Sequence, residues 1–82
     1  MRTIMGIEIG QREEDALKVQ KLLTEHGCSI KTRLGLHETA VNQCSSTGLV
    51  ILEFVGGQDQ EIADLEKELA KLQTVKVRKM EF

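Results

Sequence analysis

Thr3-Ile4-Met5-Gly6-Ile7-Glu8-Ile9-Gly10 opens with β-branched, roughly alternating residues that stop at a glycine, and from Glu13 to His26 the apolar period changes from two to that of a helix. Met5, Ile7 and Ile9 fall on one side of such a strand, leaving Ile4, Gly6 and Glu8 on the other. Ala16, Val19, Leu22, Leu23 and His26 recur at helical spacing, and Glu13, Glu14 and Asp15 crowd the first turn, where the helix dipole favours acids. Gly27 supplies the stop. The switch predicts a strand near 3–9 and a helix near 12–26.

The remainder repeats this order. Ile30, Leu34 and Leu36 occupy even positions while Lys31, Arg33, Gly35 and His37 occupy odd ones, which predicts a strand near 29–37 with one buried face. Leu49 to Val55 is apolar on both sides except at Glu53, the pattern of a central strand near 48–55, and the polar stretch from Glu38 to Thr47 reads as a hairpin loop. Asp59 suits the N-cap of a second helix near 59–73, with Ile62, Leu65, Leu69 and Leu72 along one stripe, and Val75 to Phe82 closes the chain as a strand. Shifted by about 47 positions, Gly10-Gln11 falls on Gly57-Gln58, Ala16 on Ala63, Leu22 on Leu69 and Ile30 on Val77. The expected fold is α+β: a ferredoxin-like βαββαβ unit, with an antiparallel sheet in the order 4-1-3-2 and two helices on one face, forming a single domain over residues 1–82.

Composition narrows the partners. Eighty-two residues make one small domain with a core too small to leave much stability to spare, so oligomerisation is expected. Eleven Lys+Arg against thirteen Asp+Glu, with Phe54 and Phe82 as the aromatic residues, leave neither the charge nor the stacking surfaces that direct nucleic-acid binding uses. The opening Met1 to Gly6 lacks the apolar run of a signal peptide, and Leu49 to Leu52 is too short to cross a bilayer, so the expectation is a cytoplasmic protein without a membrane partner. Cys28 and Cys44 are then expected as free thiols.

A sheet with helices on one face leaves the other to be explained. Ile4, Leu49, Ile51, Met80 and Phe82 are expected to line it, and burying them at roughly 1.5–3 kcal/mol each is worth on the order of ten kcal/mol as an upper bound. Small monomers rarely leave such a patch in water, which predicts a homodimer or tetramer built through the sheet.

Three groups of residues could carry chemistry. Gly10, Gln11 and Arg12 form the first strand-to-helix connection, where helix amides and a guanidinium could hold the carboxylate of a small molecule; the alternative is a helix start with surface charges. His37, read as lying on the outer side of the second strand, and Cys44, read as lying in the hairpin loop, are donors suited to nickel, zinc or copper. Two ligands bind weakly, so that site would have to be completed across a subunit interface, against the alternative of a solvated imidazole and thiol. Arg12 and Asn42 invite comparison with acylphosphatases, but the glycine-rich arginine loop of those enzymes is absent and no local motif marks a nucleophile, so no catalysis is expected. No cofactor is identified from these residues.

Gly6-Ile7-Glu8-Ile9, Leu22-Leu23-Thr24-Glu25-His26-Gly27 and Ile30 through His37, with Arg33-Leu34-Gly35 as the best marker, resemble the iron-only hydrogenase system regulators over nearly the whole chain. Gly48 to Leu52 and Val75-Lys76-Val77 fit the same likeness. Members of that family carry a Pro-Tyr pair where this chain has His37-Glu38, which marks a divergent branch. The family is similar to ACT domains and to the ligand-binding domain of nickel-responsive repressors. The ACT likeness implies amino-acid binding at the Gly10 to Arg12 connection and assembly through sheets. The repressor likeness implies a metal at His37 and, one residue late, Cys44, with Gly35 standing where the first histidine of a His-x-His pair would be. The combined reading is a small, non-catalytic, ligand-sensing regulator of transcription or of an enzyme, the alternative being a nickel-type metal sensor.

Overall fold

The computed structural model describes residues 2–40 and 43–82, and side chains outside 37–47. Its elements run β1 (Thr3–Ile9), α1 (Glu13–Glu25), a single 3-10 turn (Gly27–Ser29), β2 (Ile30–Ala40), β3 (Gln43–Phe54), α2 (Asp59–Ala70) and β4 (Val75–Glu81). The four strands make one sheet in the order β2-β3-β1-β4, which read from the other edge is 4-1-3-2. Every neighbouring pair is antiparallel.

One face of the sheet is the core. Met5, Ile7 and Ile9 of β1 and Val50, Leu52 and Phe54 of β3 are buried and form a single cluster with Val19 and Leu23 of α1 and Ile62, Leu65 and Leu69 of α2. Both helices therefore cover the same face, as right-handed crossovers between non-adjacent strands require. Ala16, Leu22 and Leu72 pack at the margin of the cluster.

Three expectations change. The hairpin is a long ribbon: β2 extends to Ala40 and β3 begins at Gln43, so the described residues of the polar stretch from Glu38 to Thr47, 38–40 and 43–47, are strand, and Cys44 is a β3 residue paired with Thr39. Polar residues suit such a ribbon because it continues past the pairing of β3 with β1, which ends at Gly48. The second helix starts at Asp59 itself, with Gln58 at the N-cap position and no side-chain cap bond. The third change is in β2. Ile30 pairs with Phe54 but Thr32 pairs with Glu53, so Lys31 is an extra residue on β2 and the strand's alternation inverts there. Ile30 packs against the core, whereas Leu34 and Leu36, at the same sequence parity, stand opposite Ile51 and Leu49 on the face away from the helices, 52% and 48% exposed. Arg33 takes the helix side and donates to Gln20 of α1.

Leu65 has no exposed surface and lies in the middle of the cluster. Leu65→Ala is expected to lower the free energy of unfolding by about 2–5 kcal/mol, read from denaturant unfolding followed by circular dichroism.

Candidate functional site

Two places carry the residues singled out by sequence: the joint between the β1–α1 and α2–β4 connections, and the open face of the sheet.

The joint is held by polar contacts. The Gly10 amide donates to the Thr74 carbonyl at 2.9 Å, and a Cβ at Gly10 would lie 2.7 Å from Thr74 Cβ and 2.9 Å from its carbonyl oxygen, so this close approach excludes any side chain. Asp15, 2% exposed, accepts from the Thr74 hydroxyl at 2.7 Å and from its amide at 2.9 Å. These two bonds hold the Asp15 carboxyl below its ordinary value, the hydroxyl bond contributing most. Arg12 caps the arrangement from outside, donating to Gln73 and, at 2.9 Å, to Glu14, whose carboxyl is held low chiefly by that bond. The Gly10 amide and the Arg12 guanidinium, offered by the sequence as a carboxylate cradle with Gln11, are thus engaged by the protein itself. Asp15 is the residue that sequence reading missed. It looked like one more acid in a helix first turn, and its partner lies 59 positions away.

The open face is read from the registers. Leu36, Leu49, Glu8 and Lys76 form one row across the four strands, Leu34, Ile51, Gly6 and Arg78 the next, and Thr32, Glu53, Ile4 and Met80 a third. Phe82, 72% exposed, continues beyond Met80, its amide donating to the Arg2 carbonyl at 2.9 Å. The expected residues Ile4, Leu49, Ile51, Met80 and Phe82 are therefore brought together, and the inversion at Lys31 adds Leu34 and Leu36. The acid in the apolar part of this face, Glu53, is neutralised by Arg2, whose Nε lies 2.7 Å from Glu53 Oε2 and whose bond lowers the carboxyl's pKa. At the other end Gly6, Glu8, Leu49, Lys76 and Arg78 enclose a shallow hollow of about 230 Å³.

The metal expectation falls on side chains outside the described residues. Backbone register sets His37 opposite Gly48 and Cys44 opposite Thr39, with an irregularity in the pairing between the two stations. Asn42 also lies outside the described residues. Among those described, no group of three or more His, Cys, Asp or Glu side chains could hold a metal ion, and Cys28 is an exposed free thiol. His26, the last residue of the helical stripe read from the sequence, closes α1 through its amide and pairs its Nδ1 with Glu61 of α2 at 3.0 Å. No described helix is long and apolar enough to cross a membrane.

No protein-family model matches the sequence, and no curated protein matches it. Among solved structures the chain is similar to an uncharacterized protein from Thermotoga maritima, with a TM-score of 0.73 and 21% identity over 96% of this chain and 92% of that one. It is similar also to a formyltetrahydrofolate deformylase from Burkholderia mallei, with a TM-score of 0.64 and 13% identity over 99% of this chain and 28% of that one. The regulatory subunit of aspartate kinase from Thermus thermophilus matches with a TM-score of 0.58 and 15% identity over 96% of this chain and 50% of that one. At these identities what is shared is the fold, and the βαββαβ order with its antiparallel sheet is the ferredoxin-like one.

The joint makes two expectations. Gly10→Ala should destabilise the protein by roughly 1–3 kcal/mol in denaturant unfolding, because the new methyl meets the Thr74 Cβ and carbonyl oxygen rather than the far end of a flexible side chain. Asp15 has a folded-state pKa below its ordinary value of 3.8, so its stabilisation is complete above that value and is lost as pH falls through the lowered one. Asp15→Asn should lower the melting temperature by several degrees at pH 7 and flatten the decline that sets in as the pH falls below about 4, read by circular dichroism.

Proposed function

We propose that this chain is a small, non-catalytic regulatory domain of ACT-like fold that senses a small molecule as a symmetric oligomer, a homodimer or a tetramer, assembled through the open face of its sheet. The observation that carries the reading is that face. Seven apolar side chains, from Leu34 and Leu36 across Ile51 to Phe82, lie on a surface where Glu53, the acid beside Ile4, is already neutralised by Arg2. Contiguous apolar patches of this kind on small soluble domains mark contacts with another protein, and a sheet face can meet a second copy of itself about a two-fold axis.

The regulatory part of the proposal is supported by the fold shared with the regulatory subunit of aspartate kinase and by the sequence likeness to the iron-only hydrogenase system regulators. In the latter likeness the Arg33-Leu34-Gly35 marker has a role in this fold: Arg33 ties β2 to α1 while Leu34 joins the open face. Catalysis is left out of the proposal because the polar groups at the joint are spent on holding two connections together, an arrangement that stabilises rather than reacts.

Light scattering at high micromolar concentration should give a mass of at least two chains. Ile51→Glu, which puts a charge in the middle row, should give a single-chain mass with the melting behaviour of a folded domain. A single-chain mass for the unmodified protein would refute the proposal.

A further inference from the structure

The hollow on the open face has a charge that the rest of the face does not share. Arg2 and Glu53 neutralise each other, but the three ionisable groups around Gly6 do not. Lys76 stands opposite Glu8 and Arg78 opposite Gly6. Among the described residues none of the three makes an ion pair, and Arg78 Nη1 donates only to the carbonyl of Val77 on its own strand, at 2.8 Å. Two cations against one carboxylate leave each protomer one positive charge in excess at this spot. In water that excess costs little. Covered by a second sheet it would be desolvated, and a buried charge without a counter-ion is strongly unfavourable.

The floor of the hollow is Gly6 and Leu49, and an ideal Cβ built at Gly6 meets nothing within 4 Å. Absence of a side chain at Gly6 is therefore what opens the space, and its own fold does not require it. A planar carboxylate matches the two-point geometry of a guanidinium, and a single negative charge balances the local excess, whereas a dianionic phosphate would overshoot it beside Glu8. An apolar body would lie on Leu49.

We propose that the hollow over Gly6 binds a small monocarboxylate with a short apolar body, held by Arg78 and Lys76 and closed over by a second copy of this chain on the open face, so that the ligand promotes assembly. The inference rests on the assembly reading above and supplies its ligand class. Linkage requires that a ligand bound more tightly by the closed pair strengthen that pair by the same factor.

Butyrate is the probe, with acetate as the tail-less comparison and chloride and inorganic phosphate at matched ionic strength. Two-dimensional amide NMR should show saturable shifts centred on Gly6, Lys76 and Arg78 with butyrate, weaker ones with acetate and none with the others. Sedimentation velocity should show a several-fold lower dissociation constant for self-association in saturating butyrate. Arg78→Ala should remove the shifts. Gly6→Val, which occupies the hollow from a Cβ that has nothing within 4 Å, should fold and also lose them. Assembly without any butyrate response, or a response unchanged in both variants, overturns the site and leaves the assembly reading standing. A single-chain mass at every concentration overturns assembly and the coupling with it, whatever the NMR shows.

Discussion

Two helices of 13 and 12 residues, both delivered by right-handed crossovers, can cover one side of a four-stranded antiparallel sheet and no more. Everything else in this molecule answers to that constraint. β1 and β3, the central strands, must be apolar toward the helices, which Met5, Ile7, Ile9, Val50, Leu52 and Phe54 supply. The edges escape it. Among its described side chains β2 keeps Ile30 against the core and turns Leu34 and Leu36 away, while β4 keeps Val75 and in part Val77 and alternates them with Lys76 and Arg78. The uncovered face is thus a direct product of the topology, and its apolar character is a property the chain has kept despite an edge strand on each side that could have carried polar residues throughout.

With its helices on one side, the fold needs something to fix where each crossover begins and ends. At one end of the sheet this is done by Thr74, whose carbonyl receives the Gly10 amide while its amide and hydroxyl both go to Asp15. At the other connection Val55 donates to the Ser29 carbonyl at 2.8 Å and the Ser29 hydroxyl to Gln58 at 3.2 Å, so each strand-to-helix turn is tied to the helix-to-strand turn beside it. The two halves use different residues for the same task. A buried carboxylate is the stronger of the two devices because its bonds are charge-assisted, and it also makes the first connection the pH-sensitive one.

Periodicity made most of this legible. The alternation in 3–9, the helical stripes through Val19 and Leu23 and through Ile62, Leu65 and Leu69, and the doubly apolar run from Leu49 placed the core and the central strands. Even the main residues of the open face followed from counting by two. What escaped was whatever depends on a partner far along the chain. The extra residue at Lys31 cannot be seen in β2 alone, since it exists only relative to the register with Phe54 and Glu53, and one inserted residue exchanges the faces of everything after it. Asp15 could not be told from Glu13 and Glu14 without Thr74, and the length of the hairpin could not be told from polar residues that suit a solvated ribbon as well as a loop.

That same inversion decides what the open face is able to do. Had β2 kept its parity, Arg33 and Gly35 would flank Ile51 and Leu49, and the apolar surface would stop at β3. With Leu34 and Leu36 there instead, the apolar area runs from the β2 edge to Met80 on β4, and the charges Glu8, Lys76 and Arg78 gather in one corner, away from the pair that Arg2 makes with Glu53. A surface arranged in that way separates two physical tasks. The apolar rows supply non-directional attraction, which sets how strongly another surface is held. The charged corner opposes closure until its excess is balanced, and so makes the strength of that attachment answer to what is dissolved around it.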